Sequence, residues 1–158
     1  MKKICQCLFI FTVAALLIST CSKDSKNINN DTTGETGNYI DGVYCDTSSI
    51  DHEGYSTEAS IEVTRGFIKE VNWGIYDNHR HRYFDDTYEE VYPDNPHYQQ
   101  QCRDNMVGMK AYGPRLIETQ DINQVDNISG ATWCYKKFKQ IVTMSLQDAY
   151  KDTSDGTE

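Results

Sequence analysis

The chain has 158 residues, with 15 Lys and Arg against 24 Asp and Glu, and a net charge of −9. This length accommodates one small domain plus some unfolded sequence, and it leaves no room for a second domain. The excess of acidic residues argues against nucleic acid as a partner, because an acidic surface is repelled by a phosphate backbone.

The first twenty residues have the layout of a secretory signal. Lys2 and Lys3 precede a mostly apolar run from residue 4 to residue 18, and the segment contains no acidic residue. The run is shorter than the about 20 residues usually needed to cross a bilayer, so we expect residues 1–20 to be removed. An uncleaved anchor or an ordinary signal is the alternative, and either one also leaves the domain outside the cytoplasm.

The end of this signal, Leu17-Ile18-Ser19-Thr20-Cys21, resembles a bacterial lipobox. The resemblance implies that Cys21 receives lipid and becomes the first residue of a lipoprotein in the cell envelope. An acidic chain gains little from anionic head groups, so attachment to the membrane would depend on the acyl chains. The expected location is extracytoplasmic and lipid-anchored.

Polar sequence surrounds the expected domain on both sides. Residues 21–38 are almost wholly polar and predict a flexible tether that would span about 20 to 25 Å, and residues 151–158 predict a polar tail. Residues 39–150 remain as the folded domain. Three cysteines would stay in the mature domain as free thiols or with one disulfide between two of them, namely Cys45, Cys102 and Cys134.

Strand patterns come first in the domain. Residues 41–45 predict a short strand, and residues 59–64 alternate apolar with polar side chains. Arg65-Gly66 then predicts a two-residue turn, after which residues 67–76 resume the alternation. This pattern predicts a β-hairpin whose second strand has one apolar face made of Phe67, Val71, Trp73 and Ile75.

The stretch from residue 78 to residue 95 is rich in charge and in tyrosine and predicts a long loop with room for a short helix. Within it, His79 and His81 have the spacing of two metal ligands, but the arginines beside them would repel a cation, so we expect no metal there. A helix is predicted over residues 97–112 and is expected to end at Gly113-Pro114. Its apolar face would comprise Tyr98, Cys102, Met106, Met109 and Tyr112.

The last predicted element is an amphipathic helix of about 17 residues. Its apolar stripe comprises Cys134, Phe138, Ile141, Val142, Ser145, Leu146 and Ala149. Strands followed by helices predict an α+β domain. We expect a small twisted antiparallel sheet with a hairpin, packed against two or more helices of which the last is this one.

Immediately before that helix the chain reads Asp126-Asn127-Ile128-Ser129-Gly130-Ala131-Thr132. One interpretation is a helix start, in which Ser129 or Thr132 caps free backbone amides. The other is a phosphate site, since the first turn of a helix offers unpaired N–H groups and a partial positive charge. The spacing of these residues alone does not choose between the two.

The pattern D-x-x-S-G-A-T is similar to the modification signature of the covalent FMN-binding domain family, which includes the flavin-bearing subunits of the Na⁺-translocating NADH:quinone reductase and of the Rnf complex. Other segments resemble the family in the same order, namely residues 41–44, 61–63, 66–71 and 116–120. The resemblance implies that a flavin transferase joins FMN to Thr132, and that Asp126, Ser129, Gly130 and Ala131 complete the signature that the transferase recognises.

The resemblance also implies a function, which is to carry electrons between a membrane-bound donor and an acceptor. The flavin ring would need aromatic or apolar cover, for which the candidates are Trp73, Tyr112, Leu116 and Trp133. Two alternatives stay open: a module that binds flavin or another phosphate ligand without redox turnover, and a non-catalytic surface lipoprotein. No separate catalytic centre is evident in the sequence.

Overall fold

The computed structural model of the protein describes residues 37–150. The expected signal peptide, the lipidation of Cys21, residues 21–36 of the tether and the tail at residues 151–158 therefore lie outside the described residues. Within residues 37–150, the helices are too short or too polar to cross a membrane.

Four consecutive strands form one antiparallel sheet in the order β1-β2-β3-β4. Their bounds are Gly42–Thr47, Tyr55–Thr64, Phe67–Asp77 and Arg82–Tyr83. The predicted hairpin is confirmed: Thr64 pairs with Phe67 across a turn in which Arg65 and Gly66 have φ of 56° and 78°. Two successive positive φ values match the twist of the strands that such a turn connects.

A bulge interrupts the pairing of β2 with β3. Glu62 pairs with Glu70 and Val63 with Ile68, so that β3 carries one extra residue at this point. An extra residue reverses which side chains face the core on either side of it. Ile68 is therefore fully buried, whereas Phe67 is only half-buried, and the prediction that Phe67 shares the buried face with Ile75 is wrong.

Two helices pack on the sheet and complete the α+β architecture expected from the sequence. Helix α1 (Pro96–Thr119) packs on β3, and helix α2 (Thr132–Ser145) packs on β1 and β2 beside α1. Short 3₁₀ helices occupy Tyr88–Val91 and Ile122–Gln124. The core between sheet and helices contains Ile61, Val63, Ile68, Ile75, Tyr112, Leu116, Phe138 and Val142.

Helix α1 runs through Gly113 and Pro114, so the predicted end at residue 112 is wrong. Proline costs a helical hydrogen bond, but the turns after it bury Leu116 completely. Gly113 makes this possible, because a Cβ there would lie 3.3 Å from the carbonyl oxygen of Val71. Close packing on β3 thus outweighs the local preference to end the helix.

Gln120, the C-cap residue of α1, forms hydrogen bonds with the backbone of β3 at the bulge. Gln120 has a left-handed φ of 58°, and its side-chain oxygen accepts from the Ile68 N–H at 2.7 Å. Its amide nitrogen donates to the Ile68 carbonyl at 2.9 Å.

Helix α2 ends at Ser145, earlier than predicted. After it, the Ala149 carbonyl accepts a hydrogen bond from the Ile40 N–H.

Candidate functional site

A cleft of about 450 Å³ opens at the end of the sheet where β2 begins and β3 ends. The start of β2, the segment between β3 and α1, the first half of α1 and the beginning of α2 all contribute to its walls. The lining residues are Glu53, Tyr55, Arg80, Phe84, Tyr88, Tyr92, Tyr98, Gln101, Cys102, Asn105, Gly130, Thr132 and Trp133. Thr132, the residue that the sequence signature singles out, lies at this cleft.

Aromatic rings form most of the cleft wall, and each ring packs against a neighbouring one. Trp133 packs on Phe84 with ring centroids 5.2 Å apart, and Phe84 packs on Tyr88 at 4.6 Å. Tyr92 stacks on Tyr98 at 5.1 Å, and Tyr98 is 49% exposed. Tyr88 lies next to Tyr92 with ring centroids 6.4 Å apart, so the rings form one aromatic surface, partly open to solvent, that suits a planar conjugated ligand.

The indole of Trp133 is held in place from two sides. Its Nε1 donates to Glu53 at 2.8 Å, and the ring makes an edge contact with Tyr55 at 5.1 Å. The Lys137 ammonium lies 4.8 Å from the indole and is paired with Asp51. These contacts restrict the orientation of Trp133 in the cleft wall.

A buried carboxylate holds Arg80 and Tyr88, two residues of the cleft wall, in place. Asp77, only 1% exposed, accepts from the backbone N–H groups of His79 and Arg80, from the Arg80 guanidinium and from the Tyr88 hydroxyl. Burial alone would raise the pKa of Asp77, but these hydrogen bonds, led by the one from Tyr88, outweigh it and hold the pKa below its usual value. Burial likewise raises the pKa of Tyr55, whose hydroxyl contacts Tyr88, to about 12.

The signature segment forms the exposed turn that leads into α2. Thr132 is the first residue of the helix and is exposed, and Ala131 at the N-cap is fully buried. No side chain caps the helix, so the interpretation of Ser129 or Thr132 as a simple cap is wrong. Among the first-turn amides, the Cys134 N–H is satisfied by Asn105 at 3.1 Å.

The turn is fixed by Asn127 and by the buried hydroxyl of Tyr112. The Ile128 N–H donates to the Tyr112 oxygen at 3.1 Å, and that hydroxyl lies 3.2 Å from Asn127 Oδ1 and 3.3 Å from the Ala131 carbonyl. Asn127 Nδ2 in turn donates to Thr132 Oγ1 at 3.0 Å. Because Thr132 Oγ1 accepts this bond, its own proton can point away from the turn.

Gly130 is the one residue of the signature whose backbone conformation disfavours a side chain. Its φ is 82°, and a Cβ there would lie 3.0 Å from the Asp104 Cβ. Asp126 and Ser129 are exposed on the same turn, and the Asp126 carbonyl accepts from Arg115 at 3.2 Å. The polar members of the signature are therefore accessible from solvent.

The predicted ring-covering residues divide into two groups. Trp133 lines the cleft, but Tyr112 and Leu116 are fully buried in the core. Trp73 packs on Phe138 at 4.8 Å and does not line the cleft either. These three side chains face the interface between sheet and helices, so the structure does not bring them to the cleft with Thr132.

Most of the cleft wall comes from residues that the sequence analysis did not single out. The stretch interpreted as a long loop contains β4 and a 3₁₀ helix, and it supplies Arg80, Phe84, Tyr88 and Tyr92. Its high tyrosine content was the available signal. The aromatic side chains there have no regular spacing, because the segment folds around the cleft without forming a long helix or strand.

Neither metal ligands nor a disulfide accompany the cleft in the described part of the chain. Residues 37–150 contain no group of three or more side chains placed to hold a metal ion. Cys45, Cys102 and Cys134 are free thiols, and burial raises the pKa of Cys134 to about 12.

Comparison with known proteins bears on the fold. No protein-family model and no curated protein matches the chain. A crystal structure of a Clostridium perfringens protein from the Northeast Structural Genomics Consortium is similar, with 27% identity and a TM-score of 0.52 over 70% of this chain and 88% of that one. A solution NMR structure of a Clostridium thermocellum protein has 22% identity and a TM-score of 0.41 over 68% and 90%. The first likeness supports an α+β domain of this topology.

Proposed function

We propose that this protein is an extracytoplasmic, lipid-anchored flavoprotein that carries FMN as a phosphoester on Thr132 and transfers electrons between a membrane reductase and an acceptor. The observation that carries the proposal is the position of Thr132: an exposed hydroxyl at the first residue of α2, on the edge of an aromatic cleft. The resemblance of residues 126–132 to the covalent FMN-binding signature supplies the identity of the cofactor.

The surroundings of Thr132 suit a phosphoester. The reaction requires a hydroxyl, and the bond from Asn127 to Thr132 Oγ1 holds that oxygen in one orientation. A phosphodiester keeps one negative charge, which the positive end of the α2 dipole stabilises. The N-cap residue Ala131 makes no side-chain bond to the first turn, and Asn105 takes only the Cys134 N–H, so the amides before Cys134 can donate to the phosphate.

The cleft suits the flavin ring. Its volume of about 450 Å³ lies in the usual range for cofactor sites, and aromatic side chains from four segments of chain line it. The side chains that would hold the ring are Tyr55, Phe84, Tyr88, Tyr92 and Trp133. A bound flavin supplies the electron chemistry, while the protein supplies position, cover and charge.

The chain enters the domain far from the cleft. Gly37 and Tyr39 donate backbone bonds to Arg65 and Gly66, at the hairpin end of β2. Tyr55, at the other end of this ten-residue strand, lines the cleft. At about 3.3 Å per residue the two ends lie about 30 Å apart. Gly37 and Tyr39 therefore lie near the end of the sheet opposite to the cleft and leave the cleft open.

The test is fluorescence of flavin in a denaturing gel, after expression with an active flavin transferase. Covalent flavin stays on the wild-type band, and the Thr132→Ala variant loses it. Thr143→Ala is the matched control, because Thr143 is an exposed threonine on the same helix whose hydroxyl only bonds the Lys139 carbonyl. This control keeps its fluorescence if Thr132 is the acceptor.

The other outcomes distinguish the alternatives. A native protein that is yellow but loses all flavin on denaturation is a non-covalent flavin module. A protein that acquires no flavin under either condition is a surface lipoprotein of another function. If the flavin is covalent, reduction by membranes with NADH and reoxidation by quinone or ferric iron separate an electron carrier from a static binder.

A further inference from the structure

Arg80 is the one cationic side chain among the described residues that line the cleft. It lies between β3 and β4, three residues after Asp77, and its side chain is 43% exposed. The other charged lining residue is Glu53, which is engaged with the Trp133 indole. The cleft thus contains a single positive charge among aromatic rings.

The guanidinium is held firmly while part of it stays available. Its Nη1 donates to Asp77 Oδ2 at 3.1 Å, and the Arg80 backbone N–H donates to Asp77 Oδ1 at 3.0 Å. The guanidinium carbon lies 5.6 Å from the Tyr92 ring centroid. Nη1 is the guanidinium nitrogen that binds Asp77, and 43% of the side chain is exposed, so the other guanidinium N–H groups can donate to a ligand in the cleft. Arginine has five such donors in a planar fork.

This arrangement matches a planar ligand that is apolar over most of its area and bears carbonyl oxygens at one edge. A flavin ring has that form. On full reduction it takes up two electrons, and with one proton it gains one negative charge, which a nearby cation stabilises. Asp77 accepts from one nitrogen of the Arg80 guanidinium. The N–H groups on the opposite side can donate to the negatively charged reduced flavin.

Resting on the proposed function, we propose that Arg80, positioned by Asp77 and Tyr92, contacts the carbonyl edge of the flavin ring and raises its reduction potential. Arg80 would then determine which donors can reduce the protein. A charge-assisted hydrogen bond that strengthens on reduction favours the reduced ring by about tenfold. For a two-electron couple, a tenfold change corresponds to about 30 mV.

The experiment measures the midpoint potential of the flavin-loaded full domain by titration with dithionite, which supplies the two electrons. Arg80→Gln is expected to lower the potential by about 30 mV, and Arg80→Lys, which keeps the charge but loses the planar fork, by less. Arg65→Gln is the control, because it removes the same charge at the hairpin end of the sheet, and it is expected to leave the potential unchanged.

Intact mass is recorded on each sample first, so that the two proposals can fail separately. Wild-type protein without flavin overturns the proposed function and the role of Arg80 together. Loaded Arg80→Gln with the wild-type potential overturns the role of Arg80 alone. If Arg80→Gln does not fold, the Arg80→Lys variant decides: a potential equal to that of wild type then overturns a contact through the planar fork.

Discussion

Removal of a single buried oxygen, in the Tyr112→Phe variant, is expected to destabilise the turn that presents Thr132. The Tyr112 hydroxyl accepts from the Ile128 N–H and lies in contact with the Ala131 carbonyl. The variant leaves the Ile128 N–H without its partner, whereas the Ala131 carbonyl still accepts from the Tyr135 N–H at 3.0 Å. One lost hydrogen bond and one unsatisfied, partly buried donor together cost about 2 kcal/mol.

Urea unfolding of the flavin-free domain measures this change as a difference in the free energy of unfolding. The control is Tyr44→Phe, which removes a hydroxyl that bonds the Ile40 carbonyl at an exposed position, and we expect a cost of at most about 0.5 kcal/mol there. With limiting transferase, flavin attachment is also expected to be slower in Tyr112→Phe than in the control. A Tyr112→Phe variant as stable as Tyr44→Phe would refute the assigned role of the hydroxyl.

Two further substitutions test the turn and the cleft wall. Gly130→Ala is expected to cost about 1 to 2 kcal/mol, because alanine is strained at a φ of 82° and its Cβ approaches Asp104, whereas Gly42→Ala, where the nearest atom would lie 3.5 Å away, is expected to be neutral or slightly stabilising. Thermal or urea unfolding of the pair checks this, and equal stabilities would contradict it. Asp77→Asn is expected to cost about 3 kcal/mol at neutral pH, because it removes a buried, ionised acceptor from Arg80 and Tyr88. Since the folded-state pKa of Asp77 is lowered, its charge stabilises the fold above the unfolded pKa of about 4, and the difference from Asp77→Asn should shrink as the pH falls below that value. A difference in unfolding free energy that stays constant from pH 7 to pH 2 would show that the charge of Asp77 does not stabilise the fold.

The fold was predictable where local patterns agree with the tertiary structure. The Arg65-Gly66 turn between two alternating strands and the apolar stripe of α2 both appear in the structure. The failures arise where packing overrides those patterns. The bulge that buries Ile68 instead of Phe67 is satisfied by Gln120, 52 residues away, and no local signal encodes such a contact.

The candidate site was predictable only where its residues are adjacent in sequence. A short contiguous motif identified the turn at Thr132, because the residues of that motif are adjacent in sequence. The cleft wall is made of side chains from β2, the segment before α1, α1 itself and α2, and only the fold brings them together. Tyr112 illustrates the difference. It was expected to cover the flavin ring, but its hydroxyl accepts a hydrogen bond from the Ile128 N–H of the motif.

The intact mass of the mature protein, expressed with and without an active flavin transferase and followed by peptide mapping, decides whether Thr132 carries FMN. A protein modified on Thr132 gains the mass of one FMN less one water, present only with the transferase and located on the peptide that contains Thr132. An unmodified mass in the presence of the active transferase, or a flavin located on another residue, would contradict this modification.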